Sequence, residues 1–398
     1  MNREPVHQED TVTQPDAIKR AAFLRRAAAL GLIAAAVPTA AGAAVAEQGQ
    51  RPSGRAGRGL TYRGIFYDTG TAYGPGPLSR EVWTESLMRT DMRAIDKGLR
   101  CNAVTVSGAD LDRLESASRE ALRRGLQVTL QPRLFDHPQA EILAHLARTA
   151  RLAERLRTSH HSEVILAVGC EYVLFAPGIV PGATFLDRIR YLIEGQFDHP
   201  AMMRRLDTLI REAVAVAREH FHGRITYGAA ADLEEVDWNL FDIVGLDYYT
   251  YFRDPAEHTR KLAPFRRWGK PVMILEFGCC TFRGAAENGG DGWSVVDWDR
   301  PVPEVTADVV RDEREQAEHL ANMLGVFERE GFLGASVYGF IATDSPHSPV
   351  PRFDLDVASF SVVKVIRRDH ADPASPYHWE PKQSFFAVAR HNRTARGH

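Results

Sequence analysis

Two patterns alternate along the chain from Thr61 onward: short apolar runs, and longer stretches in which apolar residues recur at helical spacing. The short runs are nearly continuous in apolar residues, which is typical of strands buried on both faces of a parallel sheet. The longer stretches are apolar on one side, which is typical of helices that cover such a sheet. The short runs predict strands over 62–67, 101–106, 127–131, 164–171, 225–229, 241–248, 271–276 and 334–341.

The helical spacing predicts helices over 79–98, 109–124, 140–157, 202–220, 257–268, 309–330 and 383–391. Strands that alternate with helices in this way indicate βα units. The most economical architecture for eight such units is a single (β/α)8 TIM barrel of the α/β class, predicted here over 60–394. Long loops are expected after the fourth, seventh and eighth strands, the first of them over 173–200 and the second over 278–306.

Two of the predicted strands end on a glutamate that is followed by an aromatic residue. Glu171 ends the fourth strand and Glu276 ends the seventh. A charged side chain at such a point is costly unless it is exposed in a cleft or paired. Since the carboxyl ends of barrel strands meet at one mouth, two long side chains there suggest paired carboxylate chemistry, of which glycoside hydrolysis is the commonest example. The alternative is that each glutamate caps its strand or pairs with an arginine.

Strand-four and strand-seven glutamates over a (β/α)8 barrel resemble the clan A retaining glycoside hydrolases. The resemblance implies that Glu171 is the acid/base and that Glu276 is the nucleophile. A strand-six tyrosine often contacts the nucleophile in that clan. The matching segment of this chain offers Tyr248, with Tyr249 as the alternative.

The chain departs from the clan pattern at two positions. Cys170 stands where the clan usually has an asparagine before the acid/base. Tyr338, followed by Gly339 and Phe340, stands where the eighth strand commonly ends in a tryptophan that lies beneath the sugar. The chain as a whole also resembles exported actinobacterial proteins that are labelled abortive-infection proteins, a label that implies no mechanism.

Five further residues are candidates for substrate binding, although each also has a structural interpretation. Asp68 ends the first strand, where it could bind sugar hydroxyls or form a turn. Arg133 follows the third strand and could orient the nucleophile or pair with Asp136. Aromatic rings often stack on sugars or pin loops, and the candidates of this kind are Tyr172, Trp293 and Trp298.

Composition and motifs narrow the function classes. The chain has 398 residues, 44% hydrophobic and 25% charged, with a formal net charge of −3, so a basic nucleic-acid surface is not indicated. It has no P-loop, GxSxG or dinucleotide motif in a suitable setting, and no cofactor is expected. The loop after the eighth strand carries scattered polar residues without metal-ligand spacing, and no metal is expected. They are Asp344, His347, Asp354 and Asp356.

The N-terminal segment reads as an export signal over 1–46, followed by a flexible linker over 47–59. Basic pairs at Lys19-Arg20 and Arg25-Arg26 precede an alanine-rich stretch that ends in Ala44-Val45-Ala46. The paired basic residues resemble a twin-arginine signal. We therefore expect a secreted or cell-envelope protein without stable membrane association after cleavage.

The four cysteines do not form a disulfide framework. Cys101, Cys170, Cys279 and Cys280 lack the spacing of a disulfide scaffold or a CxxC zinc site, and the last two are adjacent, which makes a mutual bond awkward. We expect free thiols.

The sequence thus predicts an exported retaining glycoside hydrolase that cleaves a poly- or oligosaccharide. One alternative keeps the barrel without the chemistry, as a carbohydrate-binding or host-defence protein. Another is a metal-dependent hydrolase that uses histidine and aspartate at the strand ends.

Overall fold

The computed structural model describes residues 59–71, 78–195, 197–298 and 300–394. Eight parallel strands form a closed barrel, which confirms the predicted (β/α)8 fold. The first seven follow chain order, and Gly334–Val337 (β10) closes the ring between the first and the seventh. The seven are Tyr62–Asp68 (β1), Ala103–Gly108 (β2), Gln127–Pro132 (β3), Val164–Cys170 (β4), Ile225–Ala230 (β5), Val244–Asp247 (β6) and Val272–Phe277 (β7). The intervening β8 (Val296–Asp297) and β9 (Glu304–Val305) pair with each other in the loop after β7.

Helices cover the barrel as the pattern predicts, but some begin later than expected. They are Glu85–Arg93 (α1), Leu111–Arg123 (α2), Gln139–Ser159 (α3), Tyr172–Phe175 (α4), Phe185–Ile193 (α5), His199–His220 (α6), Pro255–Leu262 (α7), Glu313–Arg329 (α8) and Gln383–Thr394 (α9). α1 begins at 85 rather than 79 because the Thr84 hydroxyl caps it by accepting from the Leu87 N–H. α8 begins at 313 rather than 309 because Asp312 caps it in the same way.

The two faces of each barrel strand meet different surroundings. Outward residues such as Leu130, Leu166 and Leu246 join the main core between strands and helices. Inward residues, including Ile165, Ala167, Met273 and Leu275, form a separate apolar cluster that fills the barrel. The barrel is therefore a packed core, and chemistry is confined to its ends.

Irregularities in two strands aim side chains at the barrel mouth. The register between β6 and β7 shifts between the pairs Leu246–Ile274 and Asp247–Glu276. Leu275 belongs to the cluster inside the barrel and Phe277 to the outer core, so the shift interrupts the alternation at Glu276. β4 has a similar shift between Ala167 and Cys170. Such bulges commonly re-aim side chains next to active sites.

The C-terminal segment packs onto the barrel. Val363–Arg367 (β11) and Tyr377–Pro381 (β12) form an antiparallel hairpin. A smaller apolar cluster joins the loops after β7 and β10, and it includes Cys279, Cys280, Phe282 and Leu355.

All four cysteines are free and buried, which confirms the expected thiols. No helix in the described part of the chain is long and apolar enough to cross a membrane. The predicted signal over 1–46 and nearly all of the linker lie outside the described residues.

Candidate active site

Glu276 on β7 is the centre of the polar group at the barrel mouth. Its side chain is buried and pairs with the Arg133 guanidinium. The Tyr249 hydroxyl donates a hydrogen bond of 3.0 Å to its second oxygen. Burial raises the pKa of Glu276, while Arg133 and Tyr249 oppose that rise because they stabilise the anion.

Arg133 lies beside Glu276, and its part in orienting a nucleophile stays a prediction. It pairs with Glu276, whereas Asp136 pairs with the buried Arg188. The Arg133 guanidinium also lies 4.5 Å from the centre of the Phe66 ring and 5.8 Å from that of Tyr338. These aromatic faces favour the cation and fix its position beside the carboxylate.

Glu171 has a different environment. It follows β4 with φ 42° and ψ 49°, the left-handed region that side chains rarely adopt and that is often found at functional sites. Its carboxyl is partly exposed and makes no hydrogen bond within the described residues. Burial, followed by the charges of Glu276 and Glu234, raises the pKa of Glu171 well above its usual range.

The backbone that follows Glu171 is held by two buried side chains. The Tyr172 N–H donates to the Tyr227 hydroxyl at 2.7 Å, and the Val173 N–H donates to Glu234 at 2.9 Å. The Tyr227 hydroxyl lies 3.1 Å from both oxygens of Glu234. Burial raises the pKa of Glu234 to about 7.

The barrel mouth holds a third carboxyl besides those of Glu276 and Glu171. It belongs to Asp247, which sequence reasoning missed. It is 3% exposed, and neither carboxyl oxygen has a hydrogen-bond partner among the residues described. It lies against Gly228 of β5, where an added Cβ would come 2.7 Å from its Oδ2 and 3.0 Å from the Cys170 Cβ. Burial and the charges of Glu276 and Glu171 raise the pKa of Asp247 well above its ordinary value.

The prediction that Tyr248 contacts Glu276 is wrong, and its alternative Tyr249 makes the contact. The Tyr248 hydroxyl lies 2.8 Å from His258 Nδ1 and its ring packs on Phe327, on the helix side of the barrel. Alternation along β6 explains the difference, because Asp247 and Tyr249 face the mouth and the residue between them faces outward. The same alternation could have identified Asp247.

The predicted sugar contact at Tyr172 is also corrected. Its hydroxyl donates to the Val168 carbonyl at 2.7 Å, and its ring lies 5.2 Å from that of Tyr227. The ring fills the space in which a side chain at Gly169 would stand, so Tyr172 is buried behind β4.

Asp68 lies at the mouth but also forms the predicted turn. Its carboxyl accepts hydrogen bonds from the Gly70 N–H at 2.8 Å, the Thr71 hydroxyl at 3.1 Å and the Ser79 hydroxyl. Its charge contributes to the raised pKa of Glu276, which shows that the two groups interact. Binding of sugar hydroxyls by Asp68 stays a prediction.

The two loop tryptophans contact each other. The Trp298 indole N–H donates to the Trp293 carbonyl at 3.1 Å, and the Trp298 ring packs against the cluster around Cys279 and Phe282. Trp298 therefore pins the loop, as its structural interpretation proposed. Stacking of either ring on a sugar stays a prediction.

Both positions that depart from the clan pattern lie at the mouth. The Tyr338 ring packs edge-on against Tyr249, with 6.3 Å between ring centres, and tilts on Phe66 at 4.7 Å. Cys170 is buried, and burial raises the pKa of its thiol well above the usual range, so the sulfur is neutral.

Of the four polar residues after β10, Asp354 and Asp356 are held in ion pairs and His347 contacts Asp354. Arg311 pairs with Asp354 and Asp356, Lys382 pairs with Asp356, and His347 Nδ1 lies 2.8 Å from Asp354. Within the described ranges, no three histidine, cysteine, aspartate or glutamate side chains form a group that could hold a metal ion.

Comparison with known proteins yields structural neighbours only. No family model matches the chain, and neither does any curated protein. A Bacteroides uniformis β-glucuronidase 2, covalently bound to cyclophellitol-6-carboxylate aziridine, superimposes with a TM-score of 0.53 at 15% identity, over 84% of this chain and 35% of that one. β-Glucuronidases from Parabacteroides merdae and Ruminococcus gnavus both give 0.48 at 14% identity, over 83% and 84% of this chain and 36% and 49% of theirs.

The chain thus spans between about a third and a half of the length of these enzymes. The match to the Bacteroides uniformis enzyme shows a barrel of the kind that glycoside hydrolases use. At this identity the likeness concerns the fold alone, and the resemblance to abortive-infection-labelled proteins stays a prediction.

Proposed function

We propose that this protein is an exported retaining glycoside hydrolase of the clan A type, with Glu171 as acid/base and Glu276 as nucleophile. One observation carries the proposal: two carboxyls at the barrel mouth differ in the groups that pair with them or donate hydrogen bonds to them. Glu276 has a guanidinium and a phenol that stabilise its anion. Glu171 has no such partner within the described residues, and burial and the charges of Glu276 and Glu234 raise its pKa well above the usual range of a carboxyl. Pairs of carboxyls whose pKa values are pushed apart are typical of acid–base assignments.

The proposed reaction has two steps. Glu276 attacks the anomeric carbon while Glu171 gives its proton to the glycosidic oxygen, so the bond to the leaving alcohol breaks and a glycosyl-enzyme ester forms. Glu171, now ionised, takes a proton from a water molecule that attacks the same carbon, and Glu276 leaves as a carboxylate. The sugar retains its anomeric configuration, and both glutamates return to their starting states.

The site supports a glycoside substrate through its aromatic surfaces as well as its carboxyls. Phe66 is buried, but the partly exposed Tyr338 borders the Arg133–Glu276 pair and offers an apolar face beside polar groups, the combination that sugar rings require. The Bacteroides uniformis protein with a similar barrel is named a β-glucuronidase, which favours a glycoside as the substrate class.

The test compares Glu276→Ala with Glu171→Ala on an activated aryl glycoside and on a natural glycoside. Glu276→Ala should lose at least about a thousandfold on both, because no glycosyl-enzyme forms. Glu171→Ala should keep appreciable cleavage of the activated substrate, and azide should speed its second step. Wild-type rates in both variants would remove the carboxyl pair from the mechanism, and an identical loss on both substrates would reject the role assignment.

Export is a second part of the proposal, supported by the sequence of residues 1–46. The mature chain should begin at Glu47, after Ala44-Val45-Ala46. N-terminal sequencing of secreted material checks this. Secreted protein that still carries the alanine-rich stretch would contradict cleavage there.

A carbohydrate-binding protein without turnover is the second candidate, and Cys170 favours it. A buried neutral thiol cannot accept and donate hydrogen bonds to a sugar hydroxyl as the clan asparagine does. Saturable binding of an oligosaccharide without release of product, in wild type and Glu276→Ala alike, would favour this candidate.

A further inference from the structure

The two peptide groups that follow Glu171 have unusual hydrogen-bond partners. Glu171 lies in the left-handed region, and its own N–H donates to the Gly228 carbonyl at 2.8 Å. The next two N–H groups begin the four-residue helix α4 and bind the Tyr227 hydroxyl and the Glu234 carboxyl. The turn that aims Glu171 is therefore held from β5 and from the loop that follows it.

Glu234 is buried, and no cationic side chain in the described part of the chain pairs with it. It is 7% exposed, and its oxygens accept from the Val173 N–H at 2.9 Å, the Ala230 N–H at 3.1 Å and the Tyr227 hydroxyl. Burying a carboxyl is costly, and hydrogen bonds from neutral donors offset only part of that cost. A group kept in such a place points to a role that a neutral, exposed side chain would not fill.

We propose that Glu234 is a positioning residue for Glu171: together with Tyr227 it binds the peptide groups after Glu171 and fixes the direction in which that carboxyl enters the barrel mouth. The inference rests on the proposed function, since it assumes that Glu171 transfers the proton. Glu234 itself touches no reacting atom. Its loss should impair the step that needs a well-aimed acid and spare the attack by Glu276.

Glu234 also acts on Glu171 electrostatically, because its negative charge raises the pKa of the Glu171 carboxyl. Glu276 on β7 and Glu234 after β5 both raise the pKa of Glu171, and Arg133 after β3 lowers it. Asp247 on β6 faces the same mouth and interacts with Glu171. When the Glu234 charge is removed, the pKa of Glu171 falls, and the acid loses its proton at a lower pH.

The experiment measures kcat/KM on a glycoside with a poor leaving group and on an activated aryl glycoside, for Glu234→Ala and Glu234→Gln. Displacement of a catalytic group by about 1 Å costs roughly a hundredfold. In Glu234→Ala, kcat/KM should therefore fall about a hundredfold for the glycoside with the poor leaving group and less than about threefold for the activated aryl glycoside. Glutamine keeps one acceptor oxygen, so Glu234→Gln should lose about tenfold, and its alkaline limb should move to lower pH.

Glu163→Gln is the matched control. Glu163 also accepts a hydrogen bond from a tyrosine hydroxyl, that of Tyr62, but it lies at the opposite end of β4 and pairs with Arg224. This variant should leave the ratio of the two kcat/KM values and the alkaline limb unchanged. Thermal unfolding of each variant checks that the protein is folded.

The outcomes separate the two proposals. If wild type turns over no glycoside, the proposed function fails. The positioning role is wrong if the wild-type protein is active and the folded Glu234→Ala variant shows either the same loss of kcat/KM on both substrates or no loss on either. A crystal structure of Glu234→Ala gives a readout without turnover: Glu171 should leave the left-handed region, and an unchanged φ near 42° would overturn the inference.

Discussion

At the scale of single residues, surroundings rather than residue type decide what each mouth carboxyl can do. Glu276 is next to a cation, Glu171 is not, and Asp247 is buried with no hydrogen-bond partner among the described residues. Burial and the repulsion between like charges raise the pKa of all three carboxyls. We therefore expect particular carboxyls of this site to hold a proton.

Asp247 should be one of the carboxyls that hold a proton, and a substitution can test this. Asparagine has the shape of a protonated aspartic acid, so Asp247→Asn should keep kcat/KM within about tenfold and leave the alkaline limb in place. Asp247→Ala removes the group and opens space beside Cys170, and it should lose more. A shift of the alkaline limb to lower pH by a full unit in Asp247→Asn would show that Asp247 is charged in the wild-type protein.

Arg133 should control the other limb of the pH profile. Its charge lowers the pKa of Glu276, and the nucleophile must be ionised to attack. In Arg133→Met the pKa of Glu276 rises, so the acid limb of kcat/KM moves to higher pH and activity falls most in weak acid. Arg133→Lys keeps the charge without the planar stacking on Phe66, so its acid limb should lie between those of the wild-type protein and Arg133→Met. An unmoved acid limb in Arg133→Met would contradict this role.

At the same scale, sequence reasoning reached some site residues and missed others. Glu171, Glu276 and the Arg133 pairing follow from strand ends, which the apolar runs mark. To identify Tyr249 and Asp247, one must know which face of β6 each residue occupies. The sequence analysis preferred Tyr248, which lies on the other face. Glu234 carries no sequence signal, because its role arises from a contact with the backbone of another βα unit.

At the scale of elements, β5 packs so closely against its neighbours at Gly228 that no side chain fits there. An added Cβ at Gly228 would lie 2.7 Å from Asp247 and 3.0 Å from Cys170. Gly228→Ala should therefore displace Asp247, lower activity and cost about 1–3 kcal/mol of stability through overpacking.

Gly325→Ala is the counterpart on α8, where an added Cβ meets only the end of the Arg329 side chain, at 3.3 Å. Removing a glycine from a helix interior should stabilise the protein by about 0.5–1 kcal/mol without changing activity. Thermal unfolding and rates of both variants check the pair. Equal effects of the two substitutions would contradict the packing argument.

Element boundaries were predictable where caps or apolar runs are strong. Six barrel strands agree with their predicted ranges within two residues at each end, whereas β6 and β10 are shorter and cover 244–247 and 334–337 rather than 241–248 and 334–341. The start of α1 was not predictable from periodicity alone: Ser79 and Arg80 have their own partners, Asp68 and Asp91, and only the Thr84 cap starts the helix.

At the scale of the whole molecule, Asp91 on α1 joins three parts of the chain. Its carboxyl accepts from the Tyr67 hydroxyl at 2.9 Å, the Arg80 guanidinium at 2.6 Å and the Trp379 indole N–H at 2.8 Å. Both members of the Arg80–Asp91 pair are almost fully buried. The C-terminal hairpin is thus tied to the first βα unit.

Asp91→Ala should be strongly destabilising, because it leaves the Arg80 charge buried without its partner. Loss of one member of a buried pair costs about 3–5 kcal/mol. The free energy of unfolding measures this. Glu85→Ala, which removes an acid of the same helix that pairs with Arg89 on the exposed surface, is the control and should cost much less. A small loss in Asp91→Ala would mean that the hairpin is held by other contacts.

The contacts of Asp91 also bear on the order in which the protein folds. Trp379 and Asp91 are 288 positions apart, and the barrel closes only when β1 pairs with β10. Contacts between distant parts of a chain form slowly, because a long loop must first be closed. The first βα unit therefore leaves the ribosome long before β10 and Trp379 are synthesised, and the native barrel closes only after those segments have emerged.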